Sequence, residues 1–148
     1  MNQKFIKQQI VLGAVVVNDG KVLILQRSLD ESVFPGIWEL PSGKREPLED
    51  SEAALIREIA EETGLRVKIK AVVSVFDYQV GKSDHVRDST QINFLVEIED
   101  GNPLVQISEE HQSFAWIGEN EIENFDITEA VKQVIFQSFS LMNQLSLI

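Results

Sequence analysis

The amino-acid sequence predicts an α/β domain built on a mixed β-sheet with helices on both of its faces. Three observations carry that prediction. Runs rich in β-branched and apolar residues recur before, between and after two helical patterns. The stretch between Ser51 and Gly64 spaces its apolar residues as a helix does, and Thr128 to Leu145 repeats that spacing with Ala130, Val131, Val134, Ile135 and Phe139. The 148 residues make one ordinary domain, able to bury roughly two thirds of the surface that the unfolded chain exposes. With neither a repeat nor a linker in sight, residues 1–148 read as a single unit.

Taken in order, Gln8 to Val17 and Lys21 to Arg27 read as the arms of a β-hairpin, because Asn18-Asp19-Gly20 supplies the turn chemistry between them. In the second arm Val22, Ile24 and Gln26 face away from Leu23, Leu25 and Arg27, and Arg27 emerges at the strand's end. Ser28 to Ile37 is a polar loop with Pro and Gly, Trp38-Glu39-Leu40 is a short extended piece, and Pro41-Ser42-Gly43 turns toward the helix. Asp50 or Ser51 can cap the helix and Gly64 can close it. Arg66 to Val80 reads as one long or bent strand, Gly81 to Asp88 as a polar loop, and Ser89 to Glu97 as its hairpin partner. Glu99 to Pro103 is a turn, Leu104 to Ile107 and Ser113 to Ile117 read as short strands, and Glu119 to Phe125 and Thr128 to Leu145 read as helical.

The first helix carries the densest chemistry. At about 100° per residue, setting Glu58 at 0° puts Glu62 near 40°, Glu61 near 300° and Arg57 near 260°. Three acids therefore share one narrow face, which borders an apolar arc of Leu55, Ile59, Thr63, Ile56, Ala60 and Ala53 between about 60° and 220° on the same count. Acids at i, i+3 and i+4 repel by a few tenths of a kcal/mol per pair, and a hard divalent cation with oxygen ligands removes that penalty. Arg57, one turn before Glu61, can fix that carboxylate.

The pattern extends beyond these acids. Gly43, five residues, Glu49, seven residues, Arg57-Glu58-Ile59, then Glu61-Glu62 and Gly64-Leu65 fill every defined position of the Nudix box, GX5EX7REUXEEXGU with U apolar. Such a match has a chance on the order of 10⁻⁷ at average residue usage. The chain thus resembles the Nudix hydrolases, including the MutT-like members, which cleave nucleoside diphosphates linked to another moiety. The resemblance implies an α/β/α sandwich and a metal site made by Glu58, Glu61, Glu62 and the backbone carbonyl of Ser42, where many relatives have Gly-Gly in place of Ser42-Gly43. It implies Mg²⁺ as cofactor, with Mn²⁺ able to substitute, and a structural part for Glu49 beside the ligands. Catalytic roles fall to Glu61, Glu62 and Arg57, with a base either in the box or on the loop that here carries Glu109, Glu110 and His111; Glu110 is the favoured candidate.

Arg27 is placed to hold a terminal phosphate bidentately. Phe34 and Trp38, and from the neighbouring strand Phe76 or Tyr78, are candidates to wall or stack on a base, although aromatic residues also fill plain core. The histidines, His85 and His111, are too few and too far apart in sequence to suggest a metal site.

The expected function is hydrolysis of a nucleoside triphosphate, an oxidised or otherwise altered one included, to a monophosphate and pyrophosphate. Hydrolysis of ADP-ribose or a nucleotide sugar is the alternative within the enzyme class. A nucleotide-sensing module without turnover is the alternative outside it, disfavoured because every box acid is kept. Thirteen basic against twenty-four acidic residues give a net charge of −11, which repels a nucleic-acid backbone and disfavours RNA cap removal. The absence of cysteine disfavours the Nudix-like isopentenyl diphosphate isomerases, which rely on one, and agrees with a reducing compartment. Met1 to Ile10 lacks the apolar core of a signal peptide, and no run approaches the roughly 18 apolar residues of a membrane span. A cytoplasmic monomer or homodimer, acting on a small nucleotide with no nucleic-acid or membrane partner, is expected.

Overall fold

The computed structural model describes residues 3–145. Its strands are β1 (Phe5–Asn18), β2 (Lys21–Arg27), β3 (Trp38–Glu39), β4 (Ser42–Lys44), β5 (Val67–Gly81), β6 (His85–Ile98) and β7 (His111–Ile117). Helix α1 spans Ser51–Thr63, a 3₁₀ helix spans Glu119–Asn124, and α2 spans Glu129–Gln144. Asp19 and Gly20 both take positive φ, 52° and 72°, as a two-residue turn of the hairpin type requires. The predicted hairpin nevertheless closes over only two residue pairs, Val17 with Val22 and Asn18 with Lys21. Beyond that turn β1 runs parallel to β6 from Phe5–His85 to Val17–Glu97, while β2 pairs with β3 and β7. Long-range pairing overrides the local one because both arms are apolar on both faces, one face lying under α1 and the other under α2.

The period of two assigns those faces. Leu12, Ala14, Val16, Leu23, Leu25, Phe94 and Val96 pack under α1 with Ala54, Leu55 and Ile59. Val15, Val17, Val22, Ile24 and Leu95 pack under α2 with Val134, Ile135, Phe139 and Met142. The result is the expected α/β/α sandwich around a mixed sheet. Asp50 caps α1 by accepting from the Ala53 amide, and Gly64 ends it at φ 73°.

Three details differ from the sequence reading. Ser42 and Gly43, read with Pro41 as a turn, belong to the strand Ser42–Lys44, which pairs with β1. The loop expected over Gly81 to Asp88 shrinks to three residues because β6 begins at His85. Leu104 to Ile107 is not a strand; Val105 and Ile107 still join the core under α1, so their apolar character serves packing without a ladder. The long β5 is one strand, with irregular register between Ile69 and Ala71 and between Val72 and Ser74. Among the described residues no helix is long and apolar enough to cross a membrane.

Candidate active site

Helix α1 is rotated from the orientation its apolar count predicts. Its buried residues are Ala54, Leu55, Ile59, Glu62 and Thr63, an arc centred about 90° nearer the acids than expected. Ala53 and Ala60 face solvent, as does much of Ile56. Glu62 thus lies within the buried face, 8% exposed, rather than beside it. The cause is β4: the Ser42 amide donates to Glu62 Oε2 at 3.4 Å. Gly43 lies so close to α1 that an added Cβ would overlap the Glu58 carboxyl. A glycine is needed here for close approach, not for an unusual φ.

Glu58, Glu61, Glu62, Ser108, Glu109 and Glu110 line one cavity of about 360 Å³. Arg57 stands at its edge. Its Nε and Nη2 grip Glu49 at 2.9 and 3.0 Å, while its Nη1 reaches Glu58 at 3.0 Å and Glu61 at 3.3 Å. Glu49 is thereby tied to the acids through the guanidinium, and its own carboxyl is held below the usual range by that hydrogen bond. Burial pushes the Glu62 carboxyl up to about 8, and the charges of Glu110, Glu39 and Glu58 push the same way against the Ser42 amide. Burial also raises Glu58, opposed by Arg57. Two carboxyls raised together in one cavity mark negative charge that protein groups leave uncompensated.

The donors suit a hard divalent cation, since all are oxygens. Among the described residues no three His, Cys, Asp or Glu side chains converge into a ready cage; the acids ring a cavity instead. That arrangement fits Mg²⁺, which keeps waters and shares its coordination between one or two carboxylates and substrate phosphates.

The second group of sequence candidates gathers elsewhere. Arg27, Phe34, Trp38 and Phe76 all line a pocket of about 450 Å³, together with Tyr78 and residues of α2. A smaller cavity lined by Glu39, Ser42, Phe76 and Tyr78 continues from it toward β4, and so toward Glu62. Trp38 sits edge-on to Phe125, 5.1 Å between centroids, which holds its ring as part of the wall. Arg27 donates to the Val33 carbonyl at 2.9 Å and pairs with Glu31 and Glu39 at 3.4 Å. His85 stacks on Phe5 at 5.6 Å and lines neither cavity.

Sequence reasoning missed Glu39, which faces both Arg27 and His111; an acid flanked by Trp38 and Leu40 on a short strand was the available signal. It also missed the contribution of α2, through Thr128, Ala130 and Val131, which no spacing in the sequence reveals.

A ring of carboxylates serves a substrate that arrives with anionic oxygens of its own and a cation between. On this sandwich, the class of protein so defined is a hydrolase of phosphorus-containing acid anhydrides. The chain belongs to the Nudix family: the NUDIX domain matches residues 7–138. It is 31% identical over 139 residues to a nucleoside triphosphatase NudI of Enterobacter sp. (strain 638), covering 88% of this chain and 96% of that one. Among solved structures it is similar to the E. coli ORF135 protein, at 27% identity and a TM-score of 0.67 over 93% of this chain and 92% of that one. The MutT protein of Methanosarcina mazei Go1 shares the fold, at 24% identity and a TM-score of 0.71 over 97% and 99%. The chain is a Nudix pyrophosphohydrolase, and members of the family generally work with a divalent metal on small nucleotide substrates.

Proposed function

We propose that the chain hydrolyses a nucleoside triphosphate to a nucleoside monophosphate and pyrophosphate, with Mg²⁺ as the working ion and Mn²⁺ as a substitute. The observation that carries this reading is the nearness of the two cavities: Glu62 of the carboxylate ring accepts from the Ser42 amide, and Ser42 with Glu39 lines the extension of a pocket that offers a guanidinium and an aromatic wall. The activity for which the Enterobacter relative is named, that of a nucleoside triphosphatase, supports the triphosphate over a nucleotide sugar.

Glu58, Glu61 and Glu62, with the Ser42 carbonyl, would hold the ion, and Arg57 fixes the orientation of Glu58 and Glu61. When bound, the ion neutralises charge developing on the diphosphate oxygens and acidifies a water. The remaining work belongs to the chain. Arg27 turns toward a phosphate at the edge of the pocket, and Phe34, Trp38 and Phe76 enclose the base. Glu110, facing the acid ring across the cavity, accepts a proton from the attacking water. The water oxygen bonds to phosphorus, the bridging P–O bond breaks, and pyrophosphate leaves.

A panel of nucleoside triphosphates, ADP-ribose and nucleotide sugars, incubated with Mg²⁺ and resolved by chromatography, tests the reading. Pyrophosphate and a monophosphate from at least one triphosphate, abolished by excess chelator and restored by Mg²⁺ or Mn²⁺, are expected. Inert triphosphates beside a cleaved nucleotide sugar would overturn the substrate, and full turnover in chelator would overturn the metal.

A further inference from the structure

The His111 side chain is enclosed beside the site, 2% exposed. Its Nε2 lies 2.8 Å from Glu39 Oε2, and its Nδ1 is buried with no hydrogen-bond partner among the described residues. The proton therefore belongs on Nε2, donated to Glu39, since a buried N–H with no acceptor is costlier than a buried lone pair. Glu39 takes its second partner from the other side, Arg27 Nη1 at 3.4 Å to each oxygen. One carboxylate thus joins three strand ends: β2 at Arg27, β3 at Glu39 and β7 at His111.

The residue just before His111 is Glu110, on the rim of the acid cavity. Its backbone is pinned on both sides. The Ser28 amide donates to the Glu110 carbonyl at 3.0 Å, and the His111 amide donates to Ser108 at 3.2 Å. The ladder of β2 and β7 passes from Gln26–Ser113 to Arg27–His111, so Gln112 is an extra residue at a bulge, a device that re-aims neighbouring side chains. With His111 drawn inward to Glu39, Glu110 is left facing the cavity.

We propose that the buried His111–Glu39 hydrogen bond is a clasp that sets the position of the Glu110 carboxylate over the acid cavity, making His111 a positioning residue for hydrolysis. This inference rests on the hydrolase reading given above. The clasp acts on the chemical step through Glu110; Arg27 shares the Glu39 carboxylate but is held as well by the Val33 carbonyl and by Glu31, so the pocket keeps its guanidinium when His111 is lost.

The test is steady-state kinetics on the best triphosphate with Mg²⁺, using His111→Leu, Glu110→Gln and the double variant. His111→Leu should lower kcat about 10- to 100-fold, the size of losing a partner that orients a functional group, and move KM less than about threefold. In the Glu110→Gln background the same change should lower kcat by less than about threefold, since the two act as one unit. His111→Gln, whose amide reaches the place of Nε2, should recover most of kcat, whereas His111→Asn, whose amide stops short, should not. That pair keeps the inference open to refutation should the leucine variant fail to fold. By NMR the His111 Nε2 proton should appear downfield in the unaltered protein and vanish in Glu39→Ala; its absence from the unaltered protein overturns the clasp whatever the kinetics show. An active wild type with an indifferent His111→Leu, or losses that multiply in the double variant, overturns the clasp alone. A wild type that cleaves no phosphoanhydride, with the proton in place, overturns the hydrolysis reading instead.

Discussion

The acid cavity and the aromatic pocket treat charge in opposite ways. Around the first stand Glu58, Glu61, Glu62, Glu109 and Glu110, served by the single guanidinium of Arg57, which is shared with Glu49. In the second, Arg27 is already matched by Glu31 and Glu39, and the rest of the wall is largely apolar and aromatic. The pocket is electrostatically complete without a ligand; the cavity is not. Substitutions in the cavity should therefore show mainly in turnover and in the response to metal, and substitutions in the pocket mainly in substrate affinity.

The largest expected effect is that of Glu62→Gln, which keeps the shape of the side chain and removes one charge of the ring. Turnover should fall about 10²- to 10³-fold, as when one preorganised charge-stabilising group is removed, with little change in KM. Gly43→Ala should follow, since the added Cβ must displace the Glu58 carboxyl; a shift near 1 Å at a reacting centre is worth about 10²-fold. Circular dichroism should show both variants folded. Full activity in either would mean that this helix face is structural.

Why the cavity could be read from sequence and the pocket only in part follows from how each is assembled. Glu58, Glu61, Glu62, Arg57, Glu49 and Gly43 lie within one local stretch, and a helix converts sequence spacing directly into a shared face. Even so, the spacing mislaid the buried arc of α1, because it could not know that β4 would press on Glu58 and Glu62. The pocket draws on β2, β3, β5, α2 and the loop at Phe34. Arg27, Trp38 and Phe76 could be nominated by residue type, but Glu39 and Val131 depend on tertiary pairing. The same holds for the hairpin: Asp19-Gly20 specified its turn, while the parallel partnership of β1 with β6, residues about 80 apart, has no local signal.

Arg27→Ala sharpens the contrast from the pocket side. Loss of a charged hydrogen bond is worth about 1.5–3 kcal/mol, so KM for the best triphosphate should rise about tenfold or more, while kcat moves little. The melting temperature should barely change, because the ion pairs lost are partly solvated and such pairs contribute at most about 1 kcal/mol. An unchanged kcat/KM would remove Arg27 from substrate binding.

The smallest expected effect is on stability, and it runs opposite to the effect of Glu62→Gln on turnover. The folded state holds the Glu62 carboxyl at about 8, against an ordinary 4.5, so between these values the native protein keeps a proton that the unfolded chain has released. Stability of the metal-free protein should therefore be greatest below the unfolded value and fall as pH rises through about 8. Glutamine cannot titrate, so the variant should lose less over that window. At pH 5 the two metal-free proteins should melt almost together. At pH 9 the variant should melt higher, by about 4 °C for each kcal/mol of relieved charge, the shift from 4.5 to about 8 setting an upper bound of about 5 kcal/mol at about 1.4 kcal/mol per factor of ten in proton affinity. Mg²⁺ binds the native carboxylates and adds RT ln(1 + [L]/Kd), so it should raise the melting temperature of the unaltered protein more than that of the variant at pH 9, and reverse their order if binding is tight. Melting curves at pH 5 and 9, with and without Mg²⁺, decide it: parallel pH slopes would show that Glu62 carries no unrelieved charge, and an equal metal response would show that it does not bind the ion.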